Sequence, residues 1–397
     1  MNNGNGSHLE RDIANKFNDY IVSVGPELSK KIERPKFKFT KYLPNNTASS
    51  VFFTPVSPAE VYSIIKELKI SSARLDEIPV KVIKSCSMYI STPLATIINK
   101  SFTTGSFPDK VKESKVIPIF KAGDHSENSN YRPISILPAF SKVFETAIKN
   151  RLIDYFNSND ILYKKQYGFR KNSSTLLPLL DLTSSVYKAI ENNKYCLSIF
   201  IDLSKAFDML NHNILLQKLS CYGIRGPPLD LICSYLSNRK QCVCYNSVFS
   251  DFKPVTTGVP QGSVLGPLLF LIYINDLPKT SSVVSFILFA DDTTITFSSD
   301  NIIELESVLN RELHIISDWF KANKLTLNTK KTNFILFRSQ KSKYHKPSIS
   351  INGSPILQTN HTKFLGIEID DTLSYKLHIT KLENKISSVI GILYKIR

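Results

Sequence analysis

The stretch Ser285-Phe286-Ile287-Leu288-Phe289-Ala290-Asp291-Asp292-Thr293-Thr294-Ile295-Thr296-Phe297 constrains the fold more than any other. Two runs of β-branched and aromatic residues flank a short break carrying adjacent carboxylates, a pattern that predicts a β-hairpin with Asp-Asp at its tip. Successive strand residues point to opposite faces, so Asp291 and Asp292 are not both expected to ligate one ion directly. Asp202 offers a second carboxylate. It ends another apolar strand, Cys196-Leu197-Ser198-Ile199-Phe200-Ile201-Asp202. Carboxylates gathered at strand ends resist ionisation unless a cation neutralises them. Mg2+ suits such a place because it keeps waters and substrate phosphates and takes few protein ligands. Taken alone, an Asp-Asp pair is more often an ordinary solvated turn, so its company decides.

The chain is long enough, at 397 residues with 42% hydrophobic content, to bury a large core divided into two or three subdomains. Fifty Lys+Arg against 34 Asp+Glu give a formal charge of +16, which favours a polyanionic partner, nucleic acid or an anionic membrane surface. The six cysteines, Cys86, Cys196, Cys221, Cys233, Cys242 and Cys244, lack the paired spacing of a zinc site and read as reduced core residues. The first residues carry no apolar signal core. The longest apolar run, residues 264–274, is well short of the roughly 20 residues that span a bilayer. These features point to a soluble intracellular protein, with nucleus and cytoplasm left open.

Residues 1–56 read as a lead-in segment with limited helix, broken by Pro26, Pro35 and Pro44. Beyond it, Val61, Ile64, Ile65 and Leu68 fall on one helical face. Residues 115–121 and 131–137 predict a hairpin that carries Lys121 and Arg132 as a cationic clamp, or simply as solvated surface charge. Helices are expected over 140–156 and 204–219. Gln166-Tyr167-Gly168-Phe169-Arg170 interleaves aromatics with a glycine and a base, which suits tracking a nucleic-acid strand as well as a packed turn. The loop Gly258-Val259-Pro260-Gln261-Gly262-Ser263-Val264-Leu265-Gly266-Pro267 feeds an apolar helix and matches neither the dinucleotide fingerprint nor a Walker loop. Asn352-Gly353 marks a hairpin over 348–357, and Leu382, Ile386, Val389, Leu393 and Ile396 form a helical seam near the end.

Together and in this order these stretches resemble the reverse transcriptases of non-LTR (LINE-type) retrotransposons. Three motifs carry the resemblance: Phe200-Ile201-Asp202-Leu203-Ser204-Lys205-Ala206-Phe207-Asp208, the 258–267 loop, and Phe289-Ala290-Asp291-Asp292. Phe364-Leu365-Gly366-Ile367 extends it, and the whole covers roughly residues 60–390. The resemblance implies an α+β right-hand polymerase with an antiparallel palm sheet backed by helices. Its divisions would be a lead-in over 1–56, fingers over 57–195, a palm over 196–345, and a primer-grip hairpin with the start of a helical thumb over 346–397. The reverse transcriptase domain as a whole would run about 101–370. Asp202 and Asp291, with the backbone carbonyl of Leu203, would hold two Mg2+ ions, or Mn2+ in their place, and Asp292 would support them. Lys121, Arg132, Phe207, Gln261 and Lys331 would bind the deoxynucleoside triphosphate, with Phe207 as the steric gate against a ribose 2′-hydroxyl. Gln166, Tyr167, Gly168, Phe169, Arg170, Gly262, Phe364, Leu365 and Gly366 would contact template or primer.

The implied partners are an RNA template with a DNA or RNA primer, and no membrane. Two features depart from the family. Ser71-Ser72-Ala73-Arg74-Leu75-Asp76 lacks the usual glycine of the segment before the fingers, and Tyr375 stands where a tryptophan is common. The endonuclease of such elements and most of the thumb are expected to be missing, which leaves a role for a partner that supplies the endonuclease. A competing reading is an inactive or domesticated nucleic-acid-binding remnant, which would have little reason to keep Asp202, Asp291, Asp292 and Phe207 together.

Overall fold

The computed structural model describes residues 3–44, 47, 49–70, 75–337 and 346–396. The glycine-lacking turn at Ser71 to Arg74 lies outside the described residues. The chain divides into two compact units, each assembled from separated segments: Met1–Tyr163, Lys205–Asp276 and Lys321–Thr326 in one, Lys164–Ser204, Leu277–Phe320 and Leu327–Arg397 in the other. Helices and strands are mixed in both, as expected of an α+β chain.

In the first unit, Ser114–Phe120 and Tyr131–Ile136 pair antiparallel as the sequence predicts, and Ser114–Phe120 also pairs parallel with Arg239–Tyr245. Val248–Phe249 and Lys253–Val255 complete a five-stranded sheet. The lead-in segment is more ordered than its prolines suggest, because Asn3–Lys30 is one helix with Pro26 inside it. Ala14 and Phe17 of this helix pack with Val116 and Val243, joined by Ile13 and Ile21. Asn18 is fully buried, and its Nδ2 donates to the Gln241 carbonyl, to Ser250 Oγ and to the Asp251 carbonyl, while its Oδ1 accepts from Gln241 Nε2. The helix is thus fixed by tertiary contacts that local propensity does not reveal.

The helix expected over 204–219 begins only at His212. Asn211 caps His212–Cys221 by accepting the Ile214 amide, and residues 204–208 form a turn in which Lys205 takes a left-handed φ of 50°. The 258–267 loop feeds the helix Gly266–Ile274, in which every residue but Pro267 is buried. Its anchor is Glu145 on the helix Ala139–Ser158: Glu145 is fully buried and accepts from the Val264 and Leu265 amides at 2.6 and 3.0 Å, from Ser141 Oγ and from Tyr235 Oη. A carboxylate at the amino end of a helix satisfies N–H groups that have no intrahelical acceptor.

The second unit is built on a sheet in the order Leu357–Gln358, Asn333–Phe337, Tyr195–Ile201, Asp292–Ser299, Ser285–Phe289. All pairings are antiparallel except the first, which is parallel. The helix Leu176–Glu191 covers one face, where Leu179, Leu182, Val186 and Ala189 join Cys196, Ile287, Ile335 and Phe337 in a core cluster. Ile302–Ala322 carries the buried Trp319. The Asn352-Gly353 hairpin forms between Ser350–Ile351 and Ser354–Pro355, with both turn residues at positive φ. His361–Phe364 and Ile367–Asp370 form a further hairpin, followed by the helix Lys376–Ile396. Leu382, Ile386, Val389 and Leu393 of the expected seam are exposed on that helix.

The cysteine expectation holds in part. All six are free thiols, but only Cys196 and Cys242 are buried and Cys86 is exposed. Among the described residues no helix is long and apolar enough to cross a membrane. Replacing Glu145 by Ala strands two backbone amides and a buried phenol, so the Glu145→Ala variant should lose about 3 kcal/mol or more of unfolding free energy at 1–3 kcal/mol per unsatisfied group. Urea denaturation measures this, and a loss under about 1 kcal/mol would mean that the loop is held by other contacts.

Candidate active site

The register of the second unit's sheet places the acids. Ile201 pairs with Thr293 and Phe200 with Thr294, so Asp202, one residue past its strand, emerges beside the start of the strand Asp292–Ser299. Phe289 pairs with Asp292, which makes Ala290 and Asp291 the two turn residues. This corrects the expected Asp-Asp tip: Asp292 is the first residue of its strand, and the left-handed position of the two-residue turn is taken by Ala290, at φ 55°. Asn328 holds Asp202 twice. Its Nδ2 donates to Asp202 Oδ2 at 2.9 Å and its backbone amide donates to the Asp202 carbonyl at 2.9 Å. The Asp202 amide donates to Thr332 Oγ1, and Leu203 bridges to Leu327.

Asp202, Asp292, Lys331, Phe364 and Leu365 line one open cavity of about 240 Å³. Five residues predicted separately from four stretches of sequence therefore meet around a single space. Desolvation, and then the negative charges of Asp291 and Asp202, push the Asp292 carboxyl up to about 6. Desolvation is the larger cause, and the repulsion among the carboxylates is the part that a bound cation would cancel. Among the described residues no group of three or more His, Cys, Asp or Glu side chains forms a metal cage. Mg2+ does not require one, since one or two carboxylates, waters and substrate phosphates complete its shell. The donor set fits such an ion and does not fit zinc.

The turn Leu365-Gly366, between His361–Phe364 and Ile367–Asp370, has positive φ at both residues, 48° and 96°. Asp370 ties this hairpin to the helix that follows, accepting from the Thr372, Ser374 and Tyr375 amides and from the Thr372 and Ser374 hydroxyls. Residues 165–168 run parallel beside Ser285–Phe289, with Gln166 bridged to Leu288 and the Tyr167 amide donating to the Leu288 carbonyl. Gln166 is 2% exposed, whereas Phe169 is 55% exposed. Tyr167 Oη and Lys165 Nζ both reach Asp181, and Arg170 is half-buried.

The other predicted residues belong to the first unit. Arg132 lies opposite Ile119, and Ile119 and Lys121 share a face, so Lys121 and Arg132 stand on the same exposed face of their hairpin. Phe207 stacks on Phe270, with ring centroids 4.7 Å apart, and its carbonyl accepts the Val259 amide. Gln261 Nε2 donates to both carboxylate oxygens of Asp208, at 2.9 and 3.1 Å, and the Gln261 carbonyl accepts the Ser135 amide. At Gly262, φ is 122° and a Cβ would lie 2.6 Å from the Ser135 carbonyl oxygen, so only glycine fits that approach. Burial pushes the Asp208 carboxyl up, against the Gln261 hydrogen bond and the charges of Lys205 and Lys121.

Sequence reasoning assigned no part to Asn328, Asp208 or Glu145. Glu145 had a signal, since an acid beside Phe144 and Val143 on the apolar side of a helix calls for donors. Asn328 had none.

Residues 119–369 match the family described as reverse transcriptase (RNA-dependent DNA polymerase). The chain belongs to that family. It is 30% identical over 364 residues to the RNA-directed DNA polymerase from mobile element jockey of Drosophila melanogaster, covering 88% of this chain and 39% of that protein. It is 29% identical over 352 residues to a probable RNA-directed DNA polymerase from transposon X-element of the same organism, covering 85% and 38%. A putative 115 kDa protein in the type-1 retrotransposable element R1DM is 26% identical over 341 residues, covering 85% and 32%. This reverse transcriptase domain is thus related to non-LTR retrotransposon polymerases and spans less than two fifths of the length of these relatives.

Asp370 supplies a pH test. Desolvation raises its carboxyl, but hydrogen bonds led by the Ser374 amide overcome this and lower it from 3.8 to about 2. A lowered folded-state value means that the stabilisation is complete above the unfolded value and is lost as pH falls through the folded one. Asp370→Asn should therefore melt below the wild type at pH 6, and the difference should shrink between about pH 4 and pH 2. Equal melting temperatures at pH 6 would remove the clamp from the account.

Proposed function

We propose that this reverse transcriptase domain is an RNA-directed DNA polymerase, joining deoxynucleotides to a primer 3′-hydroxyl on an RNA template. The observation that carries the reading is the single cavity bordered by Asp202, Asp292, Lys331, Phe364 and Leu365. Asp202 and Asp291, with the Leu203 carbonyl, would hold divalent ions, and Asp292 would add negative charge beside them. Two such ions, when bound, supply a Lewis acid for the attacking oxygen and charge neutralisation for the leaving pyrophosphate.

The chain's own groups would do the rest. Asn328, through its two hydrogen bonds, keeps the Asp202 carboxylate in one orientation. Lys331 would set a cation near the departing phosphates, and the Phe364-Leu365-Gly366 turn would support the primer end. Lys121 and Arg132 would grip the triphosphate, a task suited to a guanidinium fork. Phe207, backed by Phe270, would present a fixed ring edge to the sugar. Gln261, held by Asp208, and Gly262 would border the nascent base pair. Tyr167, Gly168, Phe169 and Arg170 would meet the template or primer strand.

Extension of a DNA primer on an RNA template by the purified chain, with and without Mg2+, tests the reading. Asp202→Ala and Asp291→Ala should each lower the extension rate by about a thousandfold or more, at 1.4 kcal/mol per decade, with the fold retained by circular dichroism. Near-normal extension by either variant would falsify the two-metal assignment.

Phe207→Val tests sugar selection. The smaller side chain should raise the ratio of ribonucleotide to deoxynucleotide incorporation. The stack on Phe270 makes a core role the competing account, in which truncation costs roughly 3 kcal/mol or more and depresses both substrates alike. An unchanged ratio with a lowered melting temperature would exclude the gate.

A further inference from the structure

The backbone turn that carries Asp291 is held from outside its own hairpin. Ala290 adopts a left-handed φ of 55°, which L-residues other than Asn and Asp visit rarely. Its amide donates to Gln166 Oε1 at 3.1 Å, and the same oxygen accepts the Gly168 amide at 2.8 Å. Gln166 is 2% exposed, so its side chain is spent inside the protein and not on a strand passing over the surface. Gly168 completes the contact. A Cβ on Gly168 would sit 2.2 Å from the Ala290 nitrogen and 2.9 Å from the Phe289 carbonyl carbon, so any larger residue must displace the turn.

We infer that Gln166 is a positioning residue for Asp291, acting through the Ala290 amide, and that Gly168 is glycine so that this amide can be reached. The inference rests on the polymerase reading only for the use to which Asp291 is put. The choice of glutamine supports it. Its Nε2 is buried and has no hydrogen-bond partner among the described residues, and an unsatisfied buried donor is destabilising by about 1–3 kcal/mol. Glutamate would accept the same two amides and leave no donor stranded. It would also bring a further negative charge to a turn one residue from Asp291, beside carboxylates whose charges already crowd one another, Asp291 and Asp202 on Asp292. A neutral acceptor is what the position requires, and the unpaired amide group follows from that requirement.

The test uses the full chain and two readouts that do not involve primer extension: exchange of the Ala290 amide followed by NMR, and binding of Mn2+ alone followed by water-proton relaxation. In wild type the Ala290 amide should be protected. Gln166→Met keeps the volume and removes the acceptor. It should speed Ala290 exchange by about tenfold, in line with loss of one hydrogen bond, while Leu288, bonded to the Lys165 carbonyl, stays protected. Mn2+ affinity should fall by about tenfold or more, as for groups that orient metal ligands.

Gln166→Glu should keep the Ala290 protection. Gly168→Ala retains Gln166 and forces the turn to move, so it should shift the Ala290 resonance and lower Mn2+ affinity in the same way. It provides the reading if Gln166→Met does not fold. Wild-type protection and Mn2+ affinity in folded Gln166→Met, or in Gly168→Ala, would overturn the inference. A wild-type chain that fails to extend primers, with variants that show these shifts, would sink the polymerase reading and support this one.

Discussion

The pairing of Tyr195–Ile201 with Asp292–Ser299 is the constraint on which the rest of the site depends. Side chains alternate along a strand, so a slip of one residue would send Asp202 and Asp292 to different surroundings and exchange Leu197, Ile199 and Ile201 with Cys196 and Ser198, which fill the other buried face. The buried Ser198 and Thr296 hydroxyls, 2.9 Å apart across this pair, fit only the observed register. Cross-strand hydroxyl pairs are worth a few tenths of a kcal/mol to about 1 kcal/mol. Burial of the apolar residues on both sides contributes far more. Together they hold two carboxylates at neighbouring strand ends despite their repulsion, and the energy that opposes ionisation there is available to a cation.

The groups of the first unit that we propose meet the nucleotide rest on a different kind of support. The 258–267 loop has little regular structure of its own, and it is tied down by hydrogen bonds to its carbonyls and amides: Ser135 to the Gln261 carbonyl, Val259 to the Phe207 carbonyl, Gly258 to the Leu210 carbonyl, and Glu145 at the far end. A loop buried this far must have its backbone groups paired. Gly258 and Gly262 are where the chain passes so near Asp208 and Ser135 that a Cβ would collide. The glycines in this loop are therefore explained by close packing, while the side chains of Gln261 and Phe207 are left at partly open positions.

Much of this was legible in the sequence, for reasons that differ from residue to residue. The strands ending at Ile201 and Phe289 announce themselves because a run of β-branched and aromatic residues interrupted by acids has few other uses. Lys121 and Arg132 are placed by two strands that follow one another in the chain, joined by residues 121–130 with a short 3-10 turn at Asn128–Asn130. The Asn3–Lys30 helix escaped because its anchors, Asn18 to Gln241 and Phe17 against Val243, lie more than two hundred residues apart in the chain. Residues 204–208 have ordinary helix propensity, so their sequence predicts helix where the chain turns. What turns them is Lys205 at positive φ, with the Asp208 and Met209 amides bonded to the Lys205 carbonyl. Asn328 carried no local mark at all, since an asparagine near a strand end is usually just a turn residue.

The hairpin tip shows why a correct motif can still have its geometry misjudged. A two-residue hairpin turn asks for positive φ, and asparagine, aspartate or glycine is the usual answer. Here Ala290 occupies the left-handed position, and the two acids are divided between the turn and the strand. An aspartate at position 290 would satisfy the backbone more readily, but it would put a third consecutive carboxylate at a place where desolvation, and then repulsion from Asp291 and Asp202, already push Asp292 up to about 6. Alanine is neutral and small enough for Gly168 to approach its nitrogen, and the strain of its φ is offset by the hydrogen bond from its amide to Gln166. Charge density and backbone preference conflict at this turn, and the residues of the neighbouring 165–168 segment resolve the conflict in favour of charge.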